Sequence, residues 1–244
     1  MPAFIDACLE ACFLVSWCCA KVKLMIKLII FDFSGTLAHC EAKEYREVFS
    51  KLRDFNLPVN EEKTARLEGL LDAMLTESTG WEDFANKIIQ KLGIVLEKDR
   101  RESLAAFLEK KLGCKLFGDA ESVLSLPQDK AILTLSAKFV VDGISELRHF
   151  AVFTPKNTGA ANPASVESFG VAKPDIEAFL AVLAKMKVDP EEAVMVGDGL
   201  ENDIMPARAI GIKAILLDRN GKYGKLDDPE IIKISSLKEL KKFL

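Results

Sequence analysis

The stretch "KLIIFDFSGTLAH", Lys27 to His39, decides how the rest of the chain is read. Four apolar residues, Leu28 to Phe31, run straight into Asp32, and Ser34-Gly35-Thr36 come next as a turn. An unbroken apolar run ending in a turn fits a strand buried on both faces, as in a parallel sheet. A carboxylate directly after such a strand is costly if enclosed and unpaired, so it is either solvated or used. Gly35 has no side chain to block an approaching group, and the turn can present backbone N–H groups to an anion. Asp32 beside such a turn is suited to attack a phosphoryl group and form an aspartyl phosphate.

Working outward, apolar runs of strand character recur at residues 28–33, 131–136, 150–154, 193–196, 213–217 and 231–234. From Ala131 onward, stretches of helical period separate them, which is the alternation of a parallel sheet with crossover helices. In "DIEAFLAVLAKMKV" the residues Ile176, Phe179, Leu180, Leu183 and Met186 form one stripe, so this helix is expected to lie on the sheet. Ser236 and Glu239 are spaced as a capping box for a closing helix. Between the first strand and Ala131 the pattern changes. "EYREVFSKLRDF", "EEKTARLEGLLDAML", "WEDFANKIIQKL" and "RRESLAAFLEKKL" read as successive helices without strand alternation. The fold class expected is α/β: a doubly wound, Rossmann-like parallel-sheet core with an inserted α-helical domain. The boundaries are residues 25–40 and 115–244 for the core and 41–114 for the insert.

Composition narrows the function. The chain has 244 residues, 49% hydrophobic and 29% charged, with a net charge of −4, so no basic footprint for nucleic acid or an anionic membrane stands out. Of six cysteines, Cys8, Cys12, Cys18 and Cys19 crowd the N-terminus, and Cys40 and Cys114 stand alone. With only His39 and His149 to help, no zinc cluster is suggested, and reduced thiols in a cytoplasmic protein are expected. Residues 1–24 carry Asp6 and Glu10 and lack a basic start; their uncharged run is too short to span a bilayer. No chemistry is assigned to them, and oligomeric state cannot be read.

In doubly wound sheets ligands bind outside the carboxyl ends of the strands, so the residue that ends each strand matters. Asp198 succeeds "AVMVG", flanked by Gly197 and Gly199, where Asp198 and Asp203 could hold a hard cation through oxygen ligands. Asn202 is placed to cap a helix beginning near Asp203. Lys173 precedes Pro174, so it is expected to be extended at a loop end, with Pro174 at the first helical position. With two strand-end aspartates nearby, Lys173 is the charge that neutralises a phosphate and keeps Asp32 ionised. At the end of "AILTLS" either Thr134 or Ser136 could donate to a phosphate oxygen, and Thr134 is preferred because Ser136 can begin the following helix.

These four segments, in this order, resemble the haloacid dehalogenase-like superfamily of hydrolases, most of which are phosphatases. "FDFSGTL" is similar to its first motif, "AILTLS" to its second, Lys173-Pro174 to its third and "GDGLEND" to its fourth, a resemblance running from Met25 to about Gly221. It implies that the helical insert is a cap that selects a small phosphorylated metabolite. It also implies Asp32 as nucleophile and, through its other oxygen, a Mg²⁺ ligand with Asp198 and the backbone carbonyl of Ser34. Thr134 and Lys173 would hold the phosphoryl group alongside the Ser34-Gly35 turn, and Asp203 would support the site. One departure stands out: family phosphatases usually carry a second aspartate, the general acid and base, where this chain has Ser34. Such assistance is typically worth ~10²–10⁴ in rate, so slow turnover is expected unless the leaving group is good or a residue such as His39 stands in. The alternatives are a dehalogenase or phosphonate hydrolase, or a weakened protein of this fold kept for binding; Asp198 argues against a metal-free dehalogenase.

Overall fold

The computed structural model describes residues 25–40, 57, 67, 70–155, 171–226 and 228–244. The expectations for residues 1–24, including Cys8, Cys12, Cys18 and Cys19, for the helix at 44–55 and for most of that at 61–75 lie outside the described residues.

A six-stranded parallel sheet forms the core. Its strands are β1 (Leu28–Phe31), β4 (Asp129–Leu133), β5 (Ala151–Phe153), β6 (Ala193–Gly197), β7 (Lys213–Leu217) and β8 (Ile232–Ile234). They lie in the order β5-β4-β1-β6-β7-β8. The chain moves outward from β1 through β4 to β5, then crosses back to lay β6, β7 and β8 on the other side. The strand order therefore reverses around β1, the position where such sheets leave a crevice at their carboxyl ends.

Two-residue alternation divides the apolar runs between the two faces. Ile29, Phe31, Ile132, Val194, Val196, Ile215 and Leu217 join one buried cluster, which the C-terminal turn closes with Leu237 and Leu240. Leu28, Ile30, Ala131, Leu133, Met195 and Leu216 join another, covered by the helix α6 (Ile176–Met186) and by Ile204 and Ala207. That helix buries Ala178, Phe179, Val182 and Leu183, whereas Ile176 and Leu180 are exposed. The expected stripe is thus rotated: the small Ala178 lets the helix settle on its Phe179–Val182–Leu183 side. Asp175 caps it by accepting from the Glu177 N–H, so Pro174 precedes the cap instead of opening the helix, and the Lys173–Pro174 peptide is cis. The capping box of Ser236 and Glu239 is present, on a 3₁₀ segment, Leu237–Phe243.

The insert between β1 and β4 contains α1 (Leu71–Thr76), α2 (Trp81–Leu92) and α3 (Lys98–Leu112). Phe84, Ala85, Ile88, Ile89 and Leu92 line one side of α2 and pack with Leu104, Ala105, Leu108 and Leu112 of α3, forming a third apolar cluster. Gly93, at φ 66°, ends α2 in the left-handed conformation that suits glycine. Trp81 meets Phe139 of the core edge-on, with ring centroids 4.9 Å apart, so its role is packing between insert and core. The insert is entered and left through a small antiparallel ladder, β2 (Ala38–Cys40) with β3 (Cys114–Leu116). That pairing sets Cys40 opposite Cys114, and Cys114 is disulfide-bonded, which corrects the expectation that it stands alone as a reduced thiol.

Candidate active site

Strand register builds the site. Phe31 is level with Ile132 of β4 and with Val196 of β6, so Asp32, Thr134 and Asp198 emerge together just beyond three neighbouring strand tips. β4 ends at Leu133, earlier than the sequence suggests; Thr134 then donates its N–H to the Phe153 carbonyl and is buried. Its Oγ1 accepts the Ser136 N–H at 3.0 Å, which leaves the hydroxyl proton to donate elsewhere. Ser136 does not begin the next helix: Ala137 occupies the cap of α5 (Lys138–Asp142), and Ser136 is held back by its bond to Thr134.

Lys173 arrives from the loop before α6 and lies between two carboxylates. Its Nζ is 2.6 Å from Asp32 Oδ1 and 2.7 Å from Asp203 Oδ1, and the three side chains are 3%, 9% and 2% exposed for Lys173, Asp32 and Asp203. Burial alone would lower the Lys173 pKa, but the charges of Asp32 and Asp203 outweigh it and raise it, so the ammonium is retained. Burial, with the Asp32 charge behind it, pushes Asp198 above the ordinary carboxylate range. For Asp203 burial is again the main cause, offset in part by Lys173, and its pKa rises to about 6.

Asp203 also accepts the Gly199 N–H at 3.0 Å and belongs to a π-helical turn, Leu200–Ile204, which precedes α7 (Met205–Ala209). Gly199, not Asn202, is the cap, because the wider turn carries Asn202 into the helix and lets Asp203 reach back to the loop. The two glycines around Asp198 differ in use. A Cβ on Gly197 would lie 2.4 Å from Asp203 Oδ2, so this glycine makes room for the acid.

Gly35, at φ 91°, needs the left-handed freedom of glycine, and its N–H donates to the Ala38 carbonyl at 2.8 Å. An anion seated at this turn therefore competes with Ala38 for that donor. Ser34 is exposed. His39, in β2, is exposed and lies tilted against Phe117, with ring centroids 5.1 Å apart.

Asp32, Asp198 and Asp203 each offer a ligand oxygen, all within 4.8 Å of one another. Asp32 Oδ1 takes Lys173, while Oδ2 is buried and has no hydrogen-bond partner among the described residues. A buried carboxylate oxygen left this way is strongly disfavoured unless a cation satisfies it. An all-oxygen acidic set of this kind fits Mg²⁺.

The structure adds a residue to this edge of the sheet. Arg219, just past β7, donates through Nη2 to the Thr36 carbonyl (2.8 Å) and through Nε to that of Gly35 (3.3 Å). It also makes a two-point pair with Asp119 at 2.8 and 2.9 Å and lies 4.1 Å from the Phe117 ring centroid. Burial opposes ionisation of Asp119, but Arg219, the Ser236 hydroxyl and the Leu237 N–H prevail and hold its pKa at about 2. The one sequence signal for Arg219 is its place in "DRNG", the polar segment that ends the β7 run as Asp32 and Asp198 end theirs.

Comparison with known proteins bears on the fold and the family. The chain is 28% identical to phosphoserine phosphatase of Thermus thermophilus over 147 residues, covering 57% of this chain and 55% of that protein. It spans about half or less of the length of the curated relatives it matches. Among solved structures, the 2-haloacid dehalogenase of Pseudomonas syringae superposes with a TM-score of 0.57 at 22% identity, covering 89% of this chain and 97% of that one. A family enzyme of Bacteroides thetaiotaomicron in complex with magnesium and inorganic phosphate superposes with a TM-score of 0.54 at 17% identity, covering 83% and 100%. At these identities the superpositions speak for the fold. The model of the haloacid dehalogenase-like hydrolases matches residues 26–211, and the chain belongs to that family.

Proposed function

We propose that the protein is a Mg²⁺-dependent phosphohydrolase acting on a small phosphorylated metabolite through an aspartyl phosphate on Asp32. The observation that carries this reading is the pairing of Lys173 with Asp32 Oδ1 while Oδ2 stays buried without a partner beside Asp198. Asp32, the backbone carbonyl of Ser34 and Asp198 would hold the ion, with Asp203 supporting through Lys173. Bound there, Mg²⁺ supplies positive charge against repulsion between an anionic nucleophile and an anionic ester. The kinship to a phosphoserine phosphatase, and the magnesium and phosphate bound by a structural relative, lend support.

In the first step an oxygen of Asp32 bonds to phosphorus as the ester P–O bond breaks and the alcohol leaves with the bonding pair. Two of the three Lys173 donors hold carboxylates, and the third is offered to a phosphoryl oxygen with the Thr134 hydroxyl, at the end of the Ser34-Gly35 turn. Water then attacks the phosphorus, releasing phosphate and restoring Asp32. Ser34 cannot give a proton to the departing alkoxide or take one from water at neutral pH, so both steps depend on solvent. Turnover is slow on poor leaving groups, where the first step limits, whereas on good ones the first step outpaces the second and the aspartyl phosphate accumulates. The core at 25–40 and 115–244 carries this chemistry, and the cap at 41–114 selects the alcohol portion.

The test is a panel of phosphorylated metabolites with and without Mg²⁺. Phosphate release lost on chelation and in Asp32→Asn is expected; halide release from a 2-haloacid without metal would overturn the reading.

A further inference from the structure

Arg219 lies at the same edge of the sheet as Asp32 and Asp198, yet its hydrogen bonds go to backbone and to Asp119, not to the cluster of acids. We infer that Arg219 is a positioning residue for the catalytic turn, held in place by Asp119. The two carbonyls it binds, those of Gly35 and Thr36, belong to successive residues. Successive carbonyls diverge in an extended chain, so their convergence on one guanidinium is specific to the tight turn with Gly35 at φ 91°. The same turn carries the Ser34 carbonyl, and Gly35 is closely apposed to Asp198. Fixing it therefore fixes the spacing of Asp32, the Ser34 carbonyl and Asp198.

A simple ion pair tying β7 to Asp119 does not account for this arrangement. Asp119 also accepts from the Ser236 hydroxyl and the Leu237 N–H, and β7 is held by its own ladders to β6 and β8. Arginine is required for the reach of a planar fork that meets two carbonyls and a carboxylate while facing the Phe117 ring. A lysine ammonium has the charge without that geometry. Phe117 and Asp119 come directly after β3, the strand returning from the helical insert, and the Phe117 N–H donates to the Leu37 carbonyl. Arg219 thus joins the return segment of the insert to the turn that holds the nucleophile.

The inference rests on the phosphohydrolase reading for its kinetic arm alone, so the experiment includes a second readout. Metal-free wild type, Arg219→Gln, Arg219→Lys and Asp119→Asn are titrated with Mg²⁺ by calorimetry, and the kinetics of p-nitrophenyl phosphate hydrolysis are measured at saturating Mg²⁺. Thermal melts verify folding. Misplacement of reacting groups by ~1 Å costs up to ~10²-fold, so Arg219→Gln is expected to lose about tenfold or more in kcat with KM changed little. Its Mg²⁺ affinity is expected to fall several-fold, with Arg219→Lys and Asp119→Asn intermediate. Should Arg219→Gln fail to fold, Arg219→Lys makes the same comparison. Wild-type kcat and Mg²⁺ affinity in folded variants would overturn the inference. A wild type that binds Mg²⁺ but hydrolyses neither p-nitrophenyl phosphate nor any ester of the metabolite panel overturns the proposed function, and the affinities still decide the role of Arg219. A wild type that neither binds nor hydrolyses overturns both.

Discussion

Gly35 and Asp198 approach so closely that a Cβ on the glycine would lie 2.2 Å from Asp198 Oδ2 and 2.8 Å from its Cγ. Gly35 is also at φ 91°, where an L side chain is strained. Gly35→Ala therefore either displaces Asp198 or reshapes the turn. The strain alone is worth about 1–3 kcal/mol. Urea unfolding is expected to show a loss of that order, and Mg²⁺-dependent phosphate release is expected to vanish; unchanged stability would mean that the turn relaxes freely.

Lys173 separates Asp32 from Asp203 in a nearly dry setting. Replacing it with methionine keeps the bulk and leaves two buried carboxylates without their cation. Breaking a buried pair in this way typically costs about 3–5 kcal/mol. Because the remaining charge is negative, added Mg²⁺ is expected to restore more stability to Lys173→Met than it adds to wild type. Thermal melts with and without the ion read this directly, and equal shifts in both proteins would contradict it.

Acid sensitivity should trace to Asp119. Its folded pKa of about 2 lies below the ordinary 3.8, so the unfolded chain binds more protons between those values. Stability from this group is thus complete above the ordinary value and is lost as pH falls toward the folded one. In acid titration of the folded protein, Asp119→Asn is expected to be less stable than wild type near neutrality and to show a shallower decline across that interval. Parallel curves would assign the acid response to other carboxylates.

Ser34 is exposed at the mouth of the turn, which leaves space for a longer side chain. Ser34→Asp would supply the missing proton donor and acceptor, an effect of ~10²–10⁴ in rate. In a single turnover, the gain in release of the alcohol is expected to be large for alkyl phosphates and small for p-nitrophenyl phosphate, whose leaving group hardly needs a proton. Equal gains on both in steady state would place the limit in hydrolysis of the shared aspartyl phosphate, and no gain on either would show that proton transfer is not what limits the natural protein.

Some of this is legible in the residues and some is not, for physical reasons. The Leu28–Phe31 run and the spacing of α2 are local, and the structure agrees with them. The face of α6 is misjudged from sequence because exposed Ile176 and Leu180 look as apolar as buried Val182; only the neighbouring sheet distinguishes them. Asn202 fails as a cap because a π turn depends on Asp203 reaching back to Gly199. Arg219 escapes a sequence reading because its partners are main-chain carbonyls and a carboxylate 100 positions away, a relation that no local pattern encodes.

The chain leaves the sheet domain along Ala38–Cys40 and re-enters it along Cys114–Leu116, and these two short strands already run side by side in opposite directions. Strands so arranged can be joined by a two-residue hairpin. Excising residues 41–113 in favour of Asn-Gly would therefore spare every ladder of the sheet, with the Trp81–Phe139 contact as one loss. The helices between them are in this sense a cassette. A lineage could exchange one such cassette for another and acquire a new preference without redesigning the chemistry beneath it.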